Sequence, residues 1–472
     1  MSTFGGLNTS HTALNAARTA VDVAGQNIAN VKTPGYTRQR AELASSPVAG
    51  PIGVLALSRP GPGQGVMVTG IARLANEMLN EGVREASASS GYHATRAAAL
   101  ETLETGLREP GKDGLSARMQ EFWASWQDLG NAAGDGAAAA VVLQQAATLA
   151  ARIADGSRAV SSQWTALRKD ASTMVDQVNH AAARVAELND TIRRSTLAGG
   201  QVNELLDERD RVAADLASIA GGQVYDRGDG TVDVLVAGNP IVTGTTANRL
   251  VLAGPTTPGG TGAVSVQWER RPGTAIDLDG GELAGALSML APASGGTGGQ
   301  LNEALASYDA VATALAEQVN AVHRTGATPN GTTGLDFFAF DPGVPAALGL
   351  RVIPTDVSGI AAALPGAGAK DGTIADRIAG IGRAAGSPDE VWGSFVGKVG
   401  IASGAESSRA QVAALGLVDA VGRQQSESAV DLDEENLALV TAQTAYQGAA
   451  RVFTAIDEML EVLITRTGVV GR

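Results

Sequence analysis

Apolar residues recur along most of this chain at the spacing of a helix face, and the two ends carry the same pattern. Leu7, Leu14, Val21 and Ile28 repeat every seven residues, with Ala17, Ala24 and Val31 on the intervening step. Leu439, Ala442, Tyr446, Ala449, Phe453, Ile456, Leu460 and Leu463 alternate steps of three and four. Such stripes are seams, and neither helix buries its stripe alone. The terminal helices therefore pack on each other as a coiled coil or on copies of the same chain.

The first helix, from Gly6 to Val31, is about 40 Å long at 1.5 Å per residue. Thr33-Pro34-Gly35 ends it, because proline disfavours a helical residue before it and Pro-Gly suits the centre of a type II turn. Residues Tyr36 to Val68 are rich in Pro, Gly and Ser, and read as an extended arm with one or two strands; Val54 to Leu57 is one of its apolar stretches. Helix is expected to resume near Ile71 and to break at Pro110-Gly111. Leu115, Met119, Phe122, Trp126 and Leu129 then share a face.

The longest stripe runs through Val160, Trp164, Leu167, Ala171, Met174, Val178, Ala181, Val185, Leu188 and Ile192. A matching one runs through Leu301, Leu305, Tyr308, Ala312, Leu315, Val319 and Val322. Each needs a partner, so the two are expected to meet in one bundle, with Val202 to Ile219 as a further helix. Between them the period changes to two. Residues 223 to 226 and 231 to 236 flank Arg227-Gly228-Asp229-Gly230 as a hairpin, and residues 249 to 252 and 264 to 268 follow as strands. A mixed segment begins at Phe337, with Leu350 to Ile353 as its best strand, and returns to helix before the last stripe.

The expected fold is mainly α with small β insertions. Residues 1–70 form half of the terminal coiled coil plus the arm, 71–222 the first part of a helical bundle, and 223–299 a β-rich insertion. Residues 300–425 form the second part of the bundle, with the mixed segment at 335–404, and 426–472 the closing helix.

Composition then removes most chemistry. The 472 residues are 44% hydrophobic, enough for large cores, and include no cysteine, so disulfides and thiolate metal sites are excluded. His11, His93, His180 and His323 stand apart from any ligand partner, and no metal or cofactor is expected. A net charge of −14 repels nucleic acid and anionic membrane surfaces, and the Arg and Lys residues look dispersed, with no basic patch. There is no apolar run suited to a bilayer and no layout of a cleavable leader.

Several strings imitate active motifs. Gly106 to Asp113 has the glycines and lysine of a phosphate loop, yet it ends in Asp where a hydroxyl must reach magnesium, and Pro110 removes an amide. Arg227-Gly228-Asp229 is better explained as a hairpin tip. Asp277 to Glu282 lacks the late acidic ligand of a calcium loop and reads as a turn before a helix. In Asp431 to Glu435, Asp431 caps the final helix, Glu434 completes a capping box, and the charges suit the helix dipole. Trp123, Trp126 and Trp164 lie on apolar stripes and read as core. No Ser-His-Asp set or carboxylate pair for hydrolysis can be assembled.

Gln26-Asn27-Ile28-Ala29-Asn30 followed by Thr33-Pro34-Gly35-Tyr36-Thr37-Arg38-Gln39 resembles the N-terminal signature of bacterial flagellar rod, hook and hook-associated proteins. Gly63-Gln64-Gly65-Val66 with Gly70 to Arg73, and Val430 to Glu435 with Gln443 to Val452, are similar to further segments of that family. Asp431 stands where Asn is usual, and Gly448-Ala449 replace Ala-Ser. Residues 205–210, the turn at 229–232 and residues 280–285 resemble the helical middle domain of the hook-associated branch; hook and rod subunits have β-rich centres. The segment after Phe338 is too short for the large outer domain of some relatives.

The resemblance implies a structural subunit at the junction of hook and filament. Leu7, Leu14, Val21, Asn27, Ile28, Asn30, Val31, Pro34, Gly35 and Tyr36 would serve assembly. Leu439, Ala442, Tyr446, Ala449, Phe453, Ile456, Leu460 and Leu463 would serve assembly and the binding of a FlgN-like export chaperone. Further partners would be copies of the chain, the hook protein and a FlgL-like second junction protein. The location would be the extracellular flagellum, reached through the flagellar export channel without cleavage. Another axial subunit, or an enzyme appended to the flagellum, are the competing readings.

Overall fold

The structure is a computed structural model that describes residues 3–46 and 63–466. The Val54 to Leu57 stretch lies outside the described residues.

Helix α1 (Thr3–Asn30) stops at the expected turn. The Tyr36 amide donates to the Thr33 carbonyl at 3.2 Å and Gly35 sits at φ +79°, the left-handed geometry that a type II turn requires at its third position. Strand β1 (Gln39–Ser45) then pairs antiparallel with β2 (Val66–Arg73), and this hairpin packs on α1. Ile71 therefore lies in a strand opposite Ala41, not at a helix start. Val66, Val68, Gly70 and Ala72 carry a period of two, and helix begins only at Glu77, where Asn76 caps the Met78 amide at 3.1 Å.

The body is helical: α2 (Glu77–Leu107), α3 (Leu115–Asn131), the 62-residue α4 (Gly136–Leu197) and α5 (Asn203–Ala220). Asp135 caps α4 through the Ala137 amide at 2.8 Å. The alanine-rich start of α4 is apolar and long enough for a bilayer by length and composition, correcting the expectation that no such run exists. Its Val142, Ala146, Leu149 and Ile153 are fully buried in the protein core.

Strands β3 (Gln223–Asp226), β4 (Val232–Val236), β5 (Asn239–Thr243) and β6 (Thr246–Ala247) form one antiparallel sheet. Strands β7 (Leu250–Ala253), β8 (Ser265–Trp268) and β9 (Arg271–Ile276) form another. Two asparagines of α4 dock both sheets by imitating a strand edge. Asn179 exchanges two hydrogen bonds with the Leu250 backbone, at 2.8 and 2.9 Å, and Asn189 does the same with Val232, at 2.8 and 3.2 Å.

Helices α6 (Gly281–Leu290) and α7 (Gln300–His323) return to the bundle. Strands β10 (Phe338–Phe340) and β11 (Leu350–Val352), with short helices α8 (Ala346–Gly349) and α9 (Thr373–Ala379), form the mixed segment. Helix α10 (Pro388–Ser428) lies antiparallel along α2, and α11 (Leu432–Arg466) closes the described chain.

Helices α4 and α7 meet, but the close contact lies at Gly156, ahead of the 160–192 stripe, where the Tyr308 ring is so near that a Cβ would stand 2.4 Å from it. Trp126, Phe337 and Phe338 build an aromatic centre at the His323 end of α7, with successive ring centroids 5.2 and 4.9 Å apart. Trp123, Trp126 and Trp164 are all buried.

Candidate assembly site

Helices α1 and α11 run antiparallel. Gly6 lies against Ile456 at one end, and Asn27 bonds Glu435 at the other. The buried face of α1 is made of Ser10, Ala16, Ala17, Val23, Ala24 and Asn27. Leu7, Leu14, Val21, Ile28 and Val31, the larger members of the repeat, are only half-buried. The seam is shifted because α1 serves two neighbours, α11 and the β1–β2 hairpin, and small side chains let both approach. On α11, Ala442 is buried and Leu439, Ala449, Phe453, Ile456 and Leu460 are half-buried, while Tyr446 and Leu463 are exposed.

A polar knot fixes the Asn27 end. Asn27 Nδ2 donates to the Gln39 carbonyl at 2.9 Å and to Glu435 Oε2 at 3.0 Å. Its Oδ1 accepts from the Gln39 amide at 3.0 Å and from the Tyr36 hydroxyl at 2.8 Å. All four of the bonds an amide side chain can make are therefore filled. Burial, reinforced by Asp207, Glu204 and Glu435, pushes the Tyr36 pKa up to about 12, so its hydroxyl remains a donor. Asn30 closes the turn by accepting from Thr33 Oγ1 at 3.1 Å, and Pro34 and Gly35 are exposed, Gly35 lying over Arg211.

Arg38 clamps the start of α11. Its Nε reaches Glu435 and its Nη1 reaches Glu434, both at 2.6 Å, and its amide donates to the Ser428 carbonyl at 2.9 Å. Burial opposes the charge of Arg38, but the two carboxylates outweigh it and raise the pKa above its ordinary value. Asp431 caps α11 through the Asp433 and Glu434 amides, at 2.8 and 3.2 Å. Glu434 is spent on Arg38 instead of a capping box.

The knot continues into the body. Asp207 of α5 accepts from the Thr37 amide and from Arg73, both at 3.0 Å, and Asp210 accepts from Arg73 at 2.5 Å. Burial lifts the Asp207 carboxyl above its ordinary range, against the pull of the Thr37 amide and Arg73. Asn203 ties Gln39 to the Ile71 carbonyl, and Asn80 links Asp210 to Gln424 of α10. Arg38, Gln39, Arg73, Glu435 and Asp207 were missed as site residues because their partners lie far away in sequence. The joint holds charge and direction; it carries no reacting group.

The imitation motifs fall at connections between elements. Gly106 to Asp113 joins α2 to α3, and Arg227 pairs with Asp233 beside the hairpin loop. Asp277 to Glu282 leads into α6. Among the described residues, no group of three or more His, Asp or Glu is placed to hold a metal ion.

Between α1 and α11 lies a groove of about 820 Å³, lined by Ala13, Ala17, Leu43, Val66, Leu437 and Ala442 among others. Leu437 on its rim, and Val440, Val452, Met459, Val462 and Ile464 of α11, are each more than half exposed. Helix α11 thus has apolar surface on more than the side that α1 covers.

Residues 100–338 match the family described as the flagellar hook-associated protein FlgK helical domain. Residues 7–37 match the flagella basal body rod proteins, and residues 424–466 the C-terminal part of the flagellar basal body rod FlgEFG proteins. Flagellar hook-associated protein 1 of Bacillus subtilis is 30% identical over 510 aligned residues, covering 100% of both chains. The protein of that name from Escherichia coli is 30% identical over 72% of this chain and 61% of its own length. The solved flagellar hook junction protein FlgK of Burkholderia pseudomallei superposes with a TM-score of 0.64 at 15% identity, over 73% of this chain and 100% of that one. At that identity the likeness speaks to the fold.

Proposed function

The chain belongs to the family of the flagellar hook-associated protein FlgK, the hook-filament junction subunit of the flagellum, and from that membership we propose that it polymerises there through α1 and α11. It is a flagellar axial protein, assembling with other flagellar proteins on the exterior of the cell. The observation that carries the assembly reading is the second apolar surface of α11. Residues from Leu437 to Ile464 remain in water although α1 is already in place, and a neighbouring copy that covered them would gain roughly 25 cal/mol per Å².

In this reading α1, β1, β2 and α11 are the polymerising unit, and α2 to α10 with the two sheets are the body it positions. The hook protein meets one side of the layer and a FlgL-like subunit the other. A FlgN-like chaperone covers α11 before the chain passes, uncleaved, through the flagellar export channel. The role is mechanical, and no catalytic step is assigned to it. The helical match at 100–338 favours this reading over a hook or rod subunit, whose families match only the ends.

The test is the double variant Val440→Asp/Val452→Asp, which places two charges on the exposed face of α11 without touching α1. Cells carrying it are expected to make hooks without filaments, while the purified monomer keeps its helical circular dichroism and melting temperature. Normal filaments would overturn the assignment of this face.

A further inference from the structure

The arginines are not dispersed everywhere, as the sequence suggested. In the β insertion, Arg249, Arg270 and Arg271 surround Trp268 and line a cleft of about 390 Å³ together with Asn239 and Asn248. Arg270 lies in the turn from β8 to β9 and Arg271 opens β9; both are exposed, and among the described residues neither has a carboxylate within 4.0 Å. Arg249 has a loose pairing with Glu269, at 3.8 Å and largely in water. This cationic edge stands out on a chain of net charge −14.

Arginines at a sheet end have an ordinary use, since charge there discourages edge-to-edge aggregation. That accounts for the charge, and the indole packs in part against the core while keeping the rest of its surface in the cleft. Of the five tryptophans, Trp123, Trp126, Trp164 and Trp392 are buried, and Trp268 alone is half-open to solvent. Strand pairing fixes it, with Leu250 opposite on β7 and Arg271 opposite on β9. The Asn239 and Asn248 side-chain amides are already spent on the Ala237 and Pro240 carbonyls, at 3.1 and 2.8 Å. Among the described residues nothing donates to their side-chain oxygens, and both residues line the cleft.

A half-open aromatic face, unpaired guanidinium groups and free acceptor oxygens together suit a chain of rings that each have an apolar C–H face, a carboxylate and hydroxyl donors. We propose that this cleft binds an acidic oligosaccharide. One sugar ring lies on Trp268, its neighbours' carboxylates pair with Arg270 and Arg271, and hydroxyl groups donate to Asn239 and Asn248. The proposal does not depend on the assembly role of α1 and α11.

The experiment titrates the full chain with tetragalacturonate and follows tryptophan fluorescence and heat. Saturable binding that weakens with salt is expected. Arg270→Ala/Arg271→Ala should weaken it about tenfold or more, and Trp268→Phe should abolish the fluorescence response with circular dichroism unchanged. Absence of saturable binding, equal binding by the arginine variant, or equal affinity for a neutral oligosaccharide of the same length would overturn the proposal. Tighter binding of a tetraglutamate peptide would also overturn it and make the cleft a peptide site.

Discussion

Asn27 is the side chain on which the two ends of the chain depend. An amide of this size has four hydrogen-bonding positions, and here a backbone pair, a phenol and a carboxylate fill them all. Removing it leaves buried Glu435 and the Gln39 amide short of a partner, at about 1–3 kcal/mol for each group left unpaired. Asn27→Ala should therefore speed hydrogen exchange at the Gln39 amide by an order of magnitude or more while leaving α4 unchanged; an unchanged rate would remove Asn27 from this role. His323 is a second residue-scale lock. Its Nδ1 bonds the Leu335 carbonyl at 2.8 Å and its Nε2 accepts from the Ala361 amide at 2.9 Å, which requires the neutral ring. Burial holds its pKa below the ordinary 6.5, so the unfolded chain takes up the proton first as the pH falls. The stability this ring contributes is complete above about pH 6.5 and is lost on acidification through the lower folded-state value. Denaturant midpoints between pH 7.5 and 5 should fall more steeply for the native chain than for His323→Asn, and parallel slopes would contradict this.

At the scale of elements, what could be read from the sequence was whatever repeats locally. The stripes of α4 and α7 identified the long helices, which do touch, though at Gly156 and not within the 160–192 stripe, and Pro34-Gly35 marked the end of α1. Strand β2 was misread because Gly70-Ile71-Ala72-Arg73 runs into a helical zone, and the alternation that makes it a strand is satisfied only by β1 across the hairpin. Strand β6 has only two residues, and Pro240 and Pro272 mask the pattern of β5 and β9. The seam of α1 was displaced for a related reason. Periodicity singles out the largest apolar residues, but a helix wedged between α11 and a hairpin buries the smallest. Nothing local marks Arg38 as the partner of Glu434 and Glu435, because the pairing exists only once the body has brought residues 38 and 428 together.

At the scale of the molecule, burial is uneven. The body shares one continuous core from α2 to α10, whereas α1 and α11 share a narrow seam and one polar knot. Local stability follows local burial, so exchange from the monomer should be faster in residues 7–31 and 439–463 than in α4 and α7. Equal protection of both regions would mean that the pair needs no neighbours to be stable. Covering α11 in an assembly should slow exchange there and leave α4 as it was.

Asn27 and Glu435 are separated by 408 positions, which gives their contact a place in time as well as in space. Closing a free loop of that length costs about 5 kcal/mol in chain entropy. That cost largely disappears once the body has folded, because the Arg38 amide then sits on the Ser428 carbonyl and the ends need only swing together. The knot therefore needs the chain only as far as Glu435, and its closing cost is small only where the body has already brought residues 38 and 428 together. A chain that stops before residue 434 lacks both carboxylates that Arg38 holds, so the ends of such a chain have nothing to close on.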